Sequence, residues 1–579
     1  MVRLLQALYN TSKSAVRVNE ELTNWFTTQT GVRQGCILSP QLFNILLELV
    51  LRLAIEDVGI GITIQGQLIN NLRFADDIVL LADSEINLQT LVDKVHNESM
   101  RFGLTINIAK TEVQVIGRET AKATISIGNS TLEQVESFIY LGEELHMIVT
   151  RLGHKYGKIY SFDLFGLVVV VINDFSIMQE GLNDPALSNK GYNNALEAEI
   201  FGSHVHSYKH NAEFRKFLLT AFRGLGIGKR SYEADIVEES KALVDELNTQ
   251  VGKPCNPHRY VTNTAANVLF KILYGKRHQY DDDKFRHLLD LNHRLRELFG
   301  SGFWSVLLPY YFPNKDSREL LKLYKDIIAF LDKLIDEHRE HFDAENPADL
   351  IDLYLKEMDE KPTPHDPYSH LHEHNMKGVL YLLFLAGGHT VSTTLEWCCL
   401  YMMAHPEIQQ KIHEEIDSVV GHNRVPLLAD QNNLPYTRAT LLEIQRHVTL
   451  LPLNDFHAAG NETSLSGYRI PKGALIISNL YAVMRDPIAF PEPDQFKPER
   501  FIDENGEYVE RKEVIPFAVG RRSCAGQNIA KMELFVFFTH LLHRFSLVKP
   551  DDVPRVSFEG IYGSSFVPKP FMTIFLPRN

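Results

Sequence analysis

The stretch "PFAVGRRSCAGQNIAKMELFVFF", residues 516–538, constrains this chain more than any other. Phe517, Gly520, Arg522, Cys524 and Gly526 fall in the order F-x-x-G-x-R-x-C-x-G, directly ahead of an apolar-periodic helix. A cysteine opening a core helix is ordinary, because free cysteine is among the most buried residue types. Five residue types in fixed order around such a cysteine are not, and they describe a loop with a purpose beyond packing.

The rest of the sequence sets the frame for that loop. At 579 residues the chain exceeds what one core usually supports, so two or more domains are expected. Residues 1–145 mix an amphipathic helix, "SPQLFNILLELVLRLAIEDVG", with short alternating strands in "GITIQGQLI", "RFADDIVLLA" and "GLTINIAKTEVQVIG", an α+β pattern. Beyond about residue 150 an early strand cluster gives way to helical patterns. These cover 235–250, 260–276, 283–299, 316–341, 347–359, 376–405, 406–420, 436–447 and 524–543. The expected domains are therefore 1–145 and 146–579. The join near 143–150 carries no Gly/Ser-rich or Pro-rich linker.

Two apolar stretches invite a membrane reading. In "FDLFGLVVVVINDFSIM" (162–178) the β-branched run predicts a buried strand, since Asp and Asn interrupt it within bilayer thickness. The segment 376–405 carries Lys377, His389 and Glu396 and is predicted to be a buried core helix. No long apolar run opens the N-terminus, so neither a signal peptide nor an anchor is readable there. Cys36, Cys255, Cys398, Cys399 and Cys524 form no CxxC pair and no disulfide framework, which fits a reducing compartment. The net charge of -14 argues against general affinity for a phosphate backbone, and residues 1–144 carry 11 Lys and Arg against 17 Asp and Glu.

Over residues 146–579 the chain resembles the cytochrome P-450 superfamily, most closely its animal microsomal family-2 branch. The resemblance implies a mainly α fold with small β-sheets, and haem b held by Cys524 as the axial iron ligand. A thiolate ligand pushes electron density toward dioxygen and favours O–O cleavage. Backbone N–H groups at the helix start would hold the sulphur as an anion. Gly520 and Gly526 would admit the macrocycle, Arg522 would pair with a propionate, and Phe517 would shield the sulphur. Glu443 and Arg446 in "LLEIQRH", with Arg500 in "FKPERF", resemble the superfamily's structural lock. His457 matches a propionate-contacting position, and Arg215 matches the arginine of a Trp-x-x-x-Arg helix that does the same.

The pattern departs in places. "AGGHT" (386–390) keeps Thr390, the residue that feeds protons with ordered water. It puts His389 where the family has an acid, and an imidazole can also pass protons. Slower or poorly coupled oxygen activation is expected. The small residues of this segment should leave room beside bound dioxygen. Asn211 stands in place of the tryptophan, and the preceding loop, "GYNNALEAEIFGSHVHSYKH", looks short, which would open the pocket and weaken haem retention.

The first 145 residues resemble a truncated reverse transcriptase of non-LTR retrotransposons. The motifs are "GVRQGCILSPQLFNILLE", "FADD", "GLTINIAKTE" and "YLG", in that order. Asp76 and Asp77 would sit on a hairpin turn as vestigial metal-binding carboxylates. Two-metal phosphoryl transfer needs a further acid, expected upstream of the first motif and not seen there. Neither polymerase activity nor functional nucleic-acid binding is expected.

The resemblance implies a monooxygenase that inserts one oxygen atom of dioxygen into a small hydrophobic substrate. Electrons would come from NADPH through a flavoprotein reductase, with cytochrome b5 as a second donor. The expected location is the cytosolic face of the endoplasmic reticulum, with contact only through surface apolar patches, or else the cytoplasm. A second reading follows from the linkerless join and the altered residues: an inactive fusion of a retrotransposon fragment with a damaged cytochrome.

Overall fold

The computed structural model describes residues 39–56, 58–64, 67–74, 77–115, 123–135, 145–164, 167–190, 208–227, 230–300, 315–361, 371–562 and 565–578, with strand pieces Lys13–Ser14, Arg17–Val18, Glu21–Leu22 and Phe26–Thr27. The chain forms two compact units, Met1–Glu143 and Glu144–Asn579.

In the first unit two helices, Ser39–Ile55 and Glu85–Arg101, meet through Leu47, Leu51 and Ile55 against Leu91 and Val95. The i, i+4, i+8 spacing of the first set makes this one apolar face. Ser84 caps the second helix by accepting from the Asn87 amide at 3.3 Å. The strands Asn71–Phe74 and Asp77–Leu80 form the expected hairpin, with Phe74 opposite Asp77. Asp77 opens the second strand, and Asp76 lies outside the described residues. Within "GLTINIAK" the expected strand is absent: Ile108–Lys110 is a single 3-10 turn, and only Glu112–Gln114 extends, pairing in parallel with Glu133–Val135.

The second unit is mainly helical, with small sheets, as expected. All nine helical patterns appear, within a few residues of their predicted ends. The helix expected at 524 begins at Gln527 instead, so Cys524 sits on the loop ahead of it. Helices Leu145–Tyr156, Phe175–Asn183 and Tyr208–Gly224 add to the set. The largest sheet runs Ile159–Leu164, Leu167–Ile172, Leu475–Ser478, His457–Ala458, Asn189–Lys190. Its "LVVVVI" strand is buried over Val169–Ile172, because it pairs on both edges and both of its faces are covered.

Helix Glu373–Ala404 runs through the main core. It is the one helix among the described residues long and apolar enough to cross a membrane. Trp397, Tyr381 and Met402 on it are wholly buried, so its apolarity is spent on packing. Helices His258–Tyr274 and Gln527–Arg544 contribute Val261, Phe270, Phe535 and Phe537 to the same core.

Candidate functional site

Cys524 lies two residues before Gly526, the N-cap of helix Gln527–Arg544, where free backbone N–H groups favour an anion. Its loop is folded by its own backbone: the Cys524 amide donates to Phe517 O at 3.0 Å and Ser523 N to Gly520 O at 3.2 Å. Gly520 has φ +81°, and a Cβ there would stand 2.3 Å from Leu182 O. Only glycine fits, because the loop backbone lies against the end of helix Phe175–Asn183. Arg521 ties the same seam, its amide donating to Leu182 O at 3.0 Å and its Nε to Asn183 O at 2.7 Å.

Arg215 reaches this loop from helix Tyr208–Gly224. Its Nη1 donates to Ser523 O at 2.6 Å and its Nη2 to Ser523 Oγ at 3.3 Å. Burial pushes the Cys524 thiol pKa up, against the Gly526 amide and the Arg215 charge, which both act to lower it. The residue is nonetheless exposed, whereas the other described cysteines are buried. The residue is thus reachable at its surface while its sulphur is largely desolvated, and its reachability is what bears on ligation.

His457 is buried, and its Nδ1 has no hydrogen-bond partner among the described residues. Burial first, and then the charges of Lys190 and Arg522, lower its pKa to about 3. Lys190 faces it across the strand pair Asn189–Lys190 with His457–Ala458, and Arg522 donates from Nε to Ser188 O at 2.8 Å. Two cations and an orphaned imidazole nitrogen therefore lie close together, the kind of donor set that a carboxylate completes. With an exposed thiol at a helix N-terminus on the adjoining loop, these residues fit a haem. Lys190, which also pairs with Asp455, was not legible in the sequence: nothing in "SNKGY" marks it, and only sheet pairing brings it to His457.

Glu443, Arg446 and Arg500 come together as the pattern implied. Arg446 Nε donates to Glu443 Oε2 at 2.6 Å and Nη2 to Oε1 at 2.9 Å, while Arg500 Nε reaches Oε1 at 3.0 Å. The remaining guanidinium donors meet the carbonyls of Met484, Pro493 and Pro491. Every charge in this buried cluster is hydrogen-bonded, as burial of charge requires.

The "AGGHT" segment lies within helix Glu373–Ala404. Gly387 and Gly388 face a neighbouring helix: a Cβ on the first would come 2.7 Å from Leu269 Cδ1, and one on the second 3.6 Å from Ala266 Cα. Helix His258–Tyr274 packs there, closely on Gly387 and at ordinary contact distance on Gly388. Ala386 is the exposed one, and Thr390 follows it by one turn, its Oγ1 donating to Ala386 O at 2.9 Å. His389 is buried, with Nε2 at 2.9 Å from Ser565 Oγ and Nδ1 at 2.9 Å from Thr393 Oγ1. Asn211 falls on helix Tyr208–Gly224, and the loop expected to be short lies mostly outside the described residues.

This combination of helical core, side sheets and cysteine loop defines the haem-thiolate class. The family model for cytochrome P-450 matches residues 130–575, and the chain belongs to that family. It is similar to cytochrome P-450 2U1 of Bos taurus, at 36% identity over 451 residues covering 76% of this chain and 82% of the relative. The Homo sapiens protein of the same name is 35% identical over 439 residues, covering 73% and 80% respectively. Homo sapiens cytochrome P-450 2J2 is 35% identical over 419 residues, covering 71% and 83%. A separate family model, reverse transcriptase (RNA-dependent DNA polymerase), matches residues 2–145. Family membership makes the second unit a monooxygenase at the family level, one that binds haem iron and takes electrons from a reductase.

Proposed function

We propose that residues 146–579 form a working haem-thiolate domain that oxidises a small hydrophobic organic molecule with one atom of dioxygen. NADPH would supply electrons through a flavoprotein reductase at the endoplasmic reticulum, with cytochrome b5 as a second donor. The observation that carries this reading is the setting of Cys524, exposed at a helix N-terminus with Arg215 and the Gly526 amide beside it.

When bound, the haem supplies dioxygen activation, with the thiolate as electron donor to its iron. The chain's own residues do the rest. Gly526 N–H and Arg215 favour the thiolate over the thiol, and Phe517 takes up the Cys524 amide and walls the loop. His457, Arg522 and Lys190 would hold a propionate, Nδ1 of His457 gaining the partner it lacks. Thr390 and His389 would move protons at this turn of the long helix. Glu443, Arg446 and Arg500 hold the segment that leads into the cysteine loop.

For residues 1–145 we infer a reverse-transcriptase-like fragment without polymerase chemistry, supported by its excess of acidic over basic residues. The test of the main reading is the spectrum of the dithionite-reduced, carbon-monoxide-bound full chain. A strongly red-shifted Soret band, lost in Cys524→Ala, is expected. A preparation that takes up no haem, or shows a band typical of histidine ligation, overturns it in favour of an inactive fusion product.

A further inference from the structure

The hairpin Gly560–Tyr562 with Phe566–Pro568 is held to the long helix at two levels. Low on the helix, Trp397 Nε1 donates to Phe566 O at 2.9 Å, and the two rings lie 4.8 Å apart. Two turns higher, His389 Nε2 meets Ser565 Oγ at 2.9 Å, with both residues buried. The imidazole has little freedom to leave. Thr393 Oγ1 holds its Nδ1 at 2.9 Å, and the ring borders a small cavity walled by Leu269, Phe270, Leu289 and Phe384. Each ring nitrogen therefore meets a hydroxyl, and one of them ties Ser565, just ahead of the second hairpin strand, to the long helix.

We propose that His389 has a second duty, as a clasp that fixes Ser565 and hence the hairpin against the turn carrying Ala386 and Thr390, so that it sets the size of the ligand space there. A carboxylate at this position could only accept, so both hydroxyls would have to donate to it. An imidazole can donate to one hydroxyl while accepting from another, which suits a link between two hydroxyl-bearing elements. His389 is then a positioning residue for whatever occupies the site, in addition to any part in proton movement. The inference rests on the haem-thiolate reading only for the location of that site.

The test uses the full chain and two azoles that ligate haem iron: imidazole, which needs only the iron, and clotrimazole, which fills the surrounding space. Binding is read as the Soret shift of the ferric protein. In Ser565→Ala clotrimazole should weaken roughly fivefold to tenfold, as for one lost buried hydrogen bond, with imidazole little changed. His389→Gln, whose amide still offers both a donor and an acceptor, should bind clotrimazole nearly as the parent does. His389→Phe should resemble Ser565→Ala. Hydrogen exchange of the haem-free protein supplies an independent readout: amides of 560–562, 566 and 567 should exchange faster in Ser565→Ala. Unchanged clotrimazole binding together with unchanged exchange overturns the clasp, as does an equal loss for both azoles. If the parent shows no thiolate band, the haem reading has failed, and the exchange result alone decides the clasp.

Discussion

Arg446 and Glu443 lie one turn apart on helix Pro435–Val448, both wholly buried, and are joined by hydrogen bonds of 2.6 and 2.9 Å. Arg500 adds a third charge to the same carboxylate. Removing Glu443 would leave two guanidinium groups buried without a counter-charge. Breaking such a pair from one side costs about 3–5 kcal/mol, a large part of the stability of a typical domain. Glu443→Ala should therefore lower the urea midpoint sharply and leave little soluble protein at 37 °C. A midpoint equal to the parent's would show that the cluster is not holding this region.

Arg215 is the one described side-chain cation placed by the structure to act on Cys524. Arg215→Gln removes its charge and weakens the tie to Ser523, so the thiol pKa should rise further. The readout is the pH dependence of iodoacetamide alkylation in haem-free protein carrying Cys36→Ser, since Cys255, Cys398 and Cys399 are buried. The alkylation profile should move to higher pH by up to about one unit, the lower end of the range for a nearby charge. In the loaded protein, haem transfer to apomyoglobin should also quicken.

Gly520 offers a sharper steric case. Gly520→Ala places a methyl 2.3 Å from Leu182 O at a φ of +81°. The left-handed backbone alone costs about 1–2 kcal/mol, and the clash must then move the cysteine loop. Haem content per folded chain should fall severalfold even where circular dichroism is unchanged. Ala518, two residues earlier, already has φ +55°. Ala518→Gly should raise the thermal midpoint slightly, because the strain relieved there slightly exceeds the entropy that glycine adds to the unfolded chain.

The division between what the sequence showed and what it hid follows the range of the interactions. Helices over 315–341 or 406–419 have strong 3.6-residue periodicity, a local property, and their positions were legible. The cysteine loop was legible because its residues are contiguous. By contrast Lys190 reaches His457 through sheet pairing 267 positions apart, and Ser565 reaches His389 across 176. No local pattern encodes such partners. "GLTINIAK" alternates like a strand yet turns at Ile108–Lys110, where tertiary context overrides β-propensity. That Gly387 lies against Leu269 of helix His258–Tyr274 is likewise a contact only the fold reveals.

The buried histidines predict how the protein meets acid. Burial, the leading cause in each, lowers the pKa to about 3 for His146 and His457 and to about 4 for His413, His447 and His540. Each is neutral in the folded state and takes up a proton on unfolding at any pH between its folded value and about 6.5. Stability is therefore present above about pH 6.5 and is lost as pH falls, each histidine contributing up to about 1.4 kcal/mol per pH unit. His338 runs the other way. Burial opposes its protonation, but hydrogen bonds to Asp349 and Leu334 O outweigh that and raise its pKa. Its contribution is full below about 6.5 and is lost as pH rises through the raised value. Glu533, whose carboxyl pKa is raised well above its ordinary value by burial, also runs the other way. Two groups against five do not reverse the trend, so the urea midpoint should drop between pH 6.5 and 4.5. His540→Gln should flatten that slope while lowering the midpoint at pH 7.5, because His540 Nε2 sits 2.7 Å from Pro426 O. A midpoint independent of pH across this window would mean that these imidazoles are hydrated in solution.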